Sequence, residues 1–191
     1  MFFQMSNKIT ESLIRIGVVS PNDKEIYRYG FQQGLVLLLN LLSALAIAIV
    51  MGMVKETIVF LGAFIPLRSF AGGFHLNSQI SCYIMSMIVI SLILLMIRSV
   101  IMTINCYYLL SVISHIIIFI VSPVEDTNKR LDQLERQTYR RRTRIIQCIE
   151  IFVFTGVLLY LKDSLWIPLV WAWFVLSLLV IIGYIKNQMS I

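Results

Sequence analysis

The sequence predicts an all-α, polytopic integral membrane protein of about six transmembrane segments, one of them broken or re-entrant over residues 57–74. Three observations carry that reading. Of 191 residues, 59% are hydrophobic and only 14% charged, and mean hydropathy is +0.86, far from the balance of a soluble domain. Apolar runs recur at the length of a bilayer span, which takes roughly 20 residues as helix. Basic residues gather in a few segments beside those runs, which fixes the parity of crossings. No internal repeat is evident, so residues 1–191 read as a single membrane domain.

Residues 1–29 read as an amphipathic, cytoplasmic N-terminal segment. Ile9, Leu13, Ile14 and Ile16 recur at helical spacing among Lys8, Glu11, Ser12 and Arg15, as in a short helix lying on a membrane surface. Ser20-Pro21 breaks it, and Ser20 or Asn22 is placed to cap the next helix. Met1 to Ser20 is too polar for a signal peptide, so the first span is expected to serve as its own insertion signal.

That span is Phe31 to Val54. Gln32, Gln33 and Asn40 within it are expected to face protein rather than lipid. Lys55-Glu56 is a polar turn. Thr57 to Leu67 is apolar but short and interrupted by Pro66; the polar stretch Arg68 to Asn77 comes next. Further runs cover Ile80–Ile97, Val100–Val121, Ile145–Leu161 and Leu165–Ile185, the last with Trp166, Trp171, Trp173 and Tyr184 as an interfacial aromatic signature.

Residues 123–144 read as a basic cytoplasmic loop, with Lys129, Arg130, Arg136, Arg140, Arg141, Arg142 and Arg144. Lys8, Arg15, Lys24 and Arg28 place the N-terminus on the same side. An even number of crossings must separate the two. Three clear runs lie between them, so the 57–74 segment must cross as a fourth, broken at Pro66. Both termini then lie in the cytoplasm.

The net charge of +6 suits orientation and anionic lipid, and nucleic acid is not expected as a partner. Cys82, Cys106 and Cys148 show no pairing logic. No cofactor is expected. A metal site would need a third ligand that His75 and Cys82 do not find at familiar spacing.

The most polar, glycine-marked island is Arg68-Ser69-Phe70-Ala71-Gly72-Gly73-Phe74-His75-Leu76-Asn77-Ser78-Gln79-Ile80-Ser81-Cys82. Polar groups at membrane depth are costly and point to function. A cysteine thiol becomes a strong nucleophile when a histidine or a helix N-terminus favours its thiolate. Asn77 or Ser78 is placed to cap the 80–97 helix, which would put Cys82 near its first turn. On one continuous helix His75 and Cys82 would stand about 10 Å apart along the axis. His75 must therefore sit on a loop, and Gly72-Gly73 allows the turn before it. Glycine or helix-start amides are candidate oxyanion donors. Arg68 reads either as an interfacial arginine or as a clamp for a substrate carboxylate. His115, Cys106 and Cys148 read as structural.

The pattern Arg-x-x-x-Gly-Gly-x-His, with Cys seven residues after the histidine, resembles the accessory gene regulator B (AgrB) family of quorum-sensing peptide proteases. Tyr29-Gly30-Phe31-Gln32 is similar to that family's Gly-x-Gln/Glu entry to its first span. Ser122-Pro123-Val124-Glu125-Asp126-Thr127-Asn128-Lys129 is similar to its Pro-Val-x-x-x-Asn-Lys stretch. Leu76 departs from an alanine frequent there. The resemblance, over roughly residues 5–185, implies a bacterial plasma-membrane cysteine endopeptidase with His75 and Cys82 as the catalytic pair. Arg68 and Gly73 are implied as supporting residues, and Gln32 is suggested as the group that orients His75. It implies an AgrD-like precursor peptide as substrate, cleaved through a Cys82 acyl-enzyme and closed into a cyclic thiolactone. The lipid bilayer is the other expected partner, and a homodimer is left open. The competing readings are a small transporter or channel, and a membrane hydrolase that releases a linear peptide.

Overall fold

The computed structural model describes residues 2–74, 76, 78–100, 102–125, 131–160 and 164–189. His75 and Asn77 lie outside the described residues, as do Asp126 to Arg130 and Leu161 to Asp163. Seven α-helices form among those described: α1 (Phe2–Arg15), α2 (Lys24–Met51), α3 (Val54–Ala71), α4 (Gln79–Ser99), α5 (Ile104–Val121), α6 (Gln133–Tyr160) and α7 (Trp166–Met189).

The N-terminal helix forms as expected, but it packs on protein. A left-handed Gly17 (φ 77°) reverses the chain after α1, which folds back along α2. Lys24 pairs with Glu11 at 3.0 Å, and Arg28 lies over the Phe3 ring at 4.6 Å. Ser20 does cap, accepting from the Asn22 amide at 3.3 Å, and it opens a short 3-10 turn over Pro21–Asp23.

Along α2, Gln32 donates to Gln79 on α4 at 3.1 Å, and Ser43 meets the Tyr83 hydroxyl at 2.8 Å. Asn40 instead bonds its own helix at the Val36 carbonyl. Gly52 ends α2 in the left-handed conformation (φ 68°), with its own and the Met53 amide returning to the last helical carbonyls.

The expected break at Pro66 is absent: α3 runs unbroken through it. A helical proline forfeits one ladder bond and strains its turn. Here Phe60, Ala63, Leu67 and Ala71 bury one face of the helix against α6 and α7, and that packing outweighs the loss. The chain breaks later, at Gly72-Gly73.

Nor is 133–144 a loop. It forms the first turns of α6. Asp132 accepts from the Glu135 amide at 2.7 Å while Glu135 accepts from the Asp132 amide at 3.3 Å, a reciprocal capping box. Leu, Gln, Glu and Arg then favour helix.

The centre of the molecule is α7, which packs on α5 and α3. In its most apolar window 61% of the residues are buried, against 11% in α2. A helix apolar all round is the one a bundle encloses. Trp171 and Trp173 are 5% and 1% exposed, so they are core residues rather than an interfacial belt. Tyr184 is exposed.

Four helices are long and apolar enough to cross a membrane: Pro21–Met51, Gln79–Ser99, Ile104–Val121 and Trp166–Met189. The architecture is thus all-helical with four such spans among the described residues. Lys55, Glu56 and Arg68 lie within α3, and the arginines fill the first half of α6.

Candidate active site

The candidate site is built where α3 ends and α4 begins. Both glycines at that turn adopt conformations closed to L side chains: Gly72 has φ 70° and Gly73 φ 118°. A side chain is excluded by space as well. A Cβ on Gly72 would stand 2.0 Å from the Val124 carbonyl oxygen, and one on Gly73 2.5 Å from Arg68 Nη1. The pair therefore does more than free the backbone. It lets the loop lie flat against its neighbours.

Arg68 organises the turn from inside. Its Nη1 donates to the Gly72 carbonyl and its Nη2 to the Phe74 carbonyl at 2.5 Å. The fork satisfies two loop carbonyls just beyond the end of α3. The guanidinium thus ties the end of α3 to the loop that follows it.

Two distant parts of the chain complete the cradle. The Val124 amide donates to the Ala71 carbonyl at 2.9 Å, and Gly72 and Val124 form an isolated parallel bridge. On α7 the Leu179 carbonyl accepts from the Phe74 amide at 2.8 Å, and Lys186 Nζ lies 5.2 Å from the Phe74 ring centroid. Asn187 donates to the Glu125 carbonyl at 2.8 Å, and Glu125 pairs with Arg136 of α6. His75 comes directly after Phe74, so the described neighbours hold the backbone up to the histidine.

Ser78, in an extended conformation (φ −97°, ψ 133°), is the N-cap residue of α4, though its hydroxyl makes no capping bond. The Cys82 amide closes the first helical turn on the Ser78 carbonyl at 3.0 Å. Cys82 thus sits on the first turn, half-buried, where the helix-start amides and the helix dipole favour an anion. Gln79, one turn before it, accepts the Gln32 bond. Gln32 therefore stands at the mouth of α4. Cys106 and Cys148 are exposed, and Cys106 accepts from Thr103 Oγ1 at 3.2 Å. No group of three metal-ligating side chains occurs among the described residues.

A second polar cluster lies deeper, between α5, α6 and α7, and its acid is not among the residues the sequence singled out. Glu150 is 8% exposed and accepts from Trp173 Nε1 at 2.6 Å. The His115 ring packs on Trp173 at 4.3 Å between centroids. Gln147 Nε2 donates to the His115 carbonyl at 3.1 Å and meets its Nδ1 at 3.2 Å. A lone glutamate in an apolar run was the available signal. Trp173 lies roughly 9 Å along α7 from Leu179, so this cluster is separate from the loop cradle.

The fold and site together define an all-helical membrane protein with a cysteine at a helix start and a glycine-bent, arginine-held loop that comes before it. The family model for accessory gene regulator B matches residues 6–184, and the chain belongs to that family. One curated relative, named "Putative AgrB-like protein 2", from Clostridium perfringens (strain 13 / Type A), is 25% identical over 142 residues. The match covers 71% of this chain and 66% of the relative. No solved structure matches. Membership associates the chain with the accessory gene regulator quorum-sensing system.

Proposed function

We propose that this protein is a membrane cysteine endopeptidase that trims an AgrD-like precursor peptide and closes it into a thiolactone. The observation that carries the reading is the position of Cys82 on the first turn of α4, just downstream of a backbone fixed up to His75 by Arg68. His75 takes the Cys82 proton, and the thiolate attacks the scissile carbonyl. A carbon–sulfur bond forms, the peptide carbon–nitrogen bond breaks, and the leaving amine of the C-terminal tail takes the proton from His75. Free amides at the start of α4 would serve as donors to the oxyanion. The precursor's own thiol then attacks the acyl-enzyme. One thioester replaces another, and the proton returns to Cys82 through His75. Because the exchange is nearly balanced, water must be kept out. Arg68 and Gly73 position the loop, and Gln32 orients the site through Gln79.

We infer six crossings from the parity of the basic segments. To the four apolar spans we add α3, about 27 Å long, and the apolar half of α6, about 24 Å long. Both termini and the arginine-rich start of α6 then face the cytoplasm, as the positive-inside rule expects.

The test uses a precursor whose internal cysteine is replaced by alanine. Ring closure is then blocked, and a hydroxylamine-labile adduct at Cys82 should accumulate with little linear product. Fast release of linear peptide without an adduct would leave a plain hydrolase. Full cleavage by Cys82→Ala would end the cysteine mechanism.

A further inference from the structure

We propose that Gly183, on α7, is a positioning residue for the loop that leads into His75, through its contact with Gly73 and Phe74. The inference rests on the peptidase reading of His75 and Cys82. It begins with the Phe74 amide, which donates to the Leu179 carbonyl at 2.8 Å. In an α-helix that carbonyl belongs to the ladder bond of the residue four positions on, which is Gly183. The loop thus docks over the spot where the side chain of residue 183 would stand.

The space there is smaller than a methyl group. A Cβ on Gly183 would lie 2.6 Å from the Phe74 nitrogen, 2.7 Å from the Gly73 carbonyl carbon and 3.0 Å from the Gly73 Cα. All three are backbone atoms, so no rotamer relieves the contact. Ordinary contact begins at 3.4 Å, and the loop would have to withdraw by most of an ångström. Phe74 directly precedes His75 in the chain, so the displacement falls on the backbone that leads into the histidine. Misplacing a reacting group by about 1 Å can cost on the order of a hundredfold in rate. Alanine would favour the α7 helix itself over glycine, so a defect at this position points to the docked loop. Gly62 and Gly156, which have nothing within 4 Å of a built Cβ, serve as helical controls.

The experiment uses the full chain in membranes, supplied with an AgrD-like precursor peptide. Gly183→Ala should lower kcat by about ten- to a hundredfold with KM little changed, while Gly62→Ala and Gly156→Ala match wild type. A second readout uses iodoacetamide on chains whose Cys106 and Cys148 are alanine, so that alkylation reports Cys82. The pH profile of Gly183→Ala should move toward that of His75→Ala, a change that a purely structural role would not produce. Wild-type turnover together with a wild-type alkylation profile overturns the proposal. If Cys82→Ala still cleaves, the peptidase reading falls. If Cys82→Ala is inactive and Gly183→Ala is fully active, only the role of Gly183 falls. Should Gly183→Ala fail to accumulate, benzoylphenylalanine at position 74 keeps the proposal testable. Photocrosslinks to α7 support it, and crosslinks confined to other elements overturn it.

Discussion

The Val124 amide donates to the Ala71 carbonyl at 2.9 Å, and this contact joins the two polar stretches that carry the family resemblance. Ala71 ends α3 just before the glycine pair, and Val124 comes after α5. The bridge leaves no room for a side chain at Gly72, whose Cβ would meet the Val124 oxygen at 2.0 Å. Gly72→Ala is therefore expected to be worse than Gly73→Ala, whose nearest obstacle is a side-chain nitrogen at 2.5 Å with the nearest backbone atom, the Leu179 oxygen, at 3.0 Å. Cleavage of the precursor, read by mass spectrometry, should fall by at least about a hundredfold for Gly72→Ala. Wild-type cleavage by that variant would mean that the bridge does not shape the site.

Cys82→Ala and His75→Ala should each abolish cleavage. Cys106→Ala and Cys148→Ala should retain it, because both thiols are exposed on other helices. Loss of activity in either control would shift the nucleophile away from α4.

Arg68 makes two charge-assisted bonds from one planar fork, and a lysine ammonium cannot reproduce that geometry. Losing one such bond costs about 1.5–3 kcal/mol, which is about ten- to a hundredfold in rate if the loop must be in place for reaction. Arg68→Lys should show that fall in kcat at full expression. Undiminished activity would return Arg68 to an interfacial role.

Glu150 tests the deeper cluster through stability. Glu150→Leu strands the Trp173 N–H in the core and should destabilise by about 1–3 kcal/mol. Glu150→Gln keeps an acceptor and should stay closer to wild type. Thermal unfolding of detergent-purified protein measures both. Equal midpoints for Leu and wild type would show that the Trp173 bond contributes nothing net.

Topology is checked by single cysteines and an impermeant maleimide on intact cells. A cysteine at Gln137 should be protected and one at Ser164 labelled. The reversed pattern would remove α3 from the crossings.

Composition and local chemistry were enough to determine the helical membrane class, the turn at Gly72-Gly73 and the place of Cys82 on a helix start. Each depends on neighbouring residues: apolar run length, glycine's access to positive φ, and a polar residue before an apolar helix. The capping box at Asp132 and Glu135 was equally local, and with it the helical state of 133–144 was legible. Other features were decided only by tertiary structure. Pro66 stays helical because α6 and α7 bury that face of α3. Trp171 and Trp173 became core because α7 took the centre of the bundle. Arg68, Val124, Leu179 and Gly183 converge on one loop from positions as much as 115 residues apart. No periodicity or spacing encodes such an approach. It exists only once the packed helices set which backbones come within a methyl group of one another.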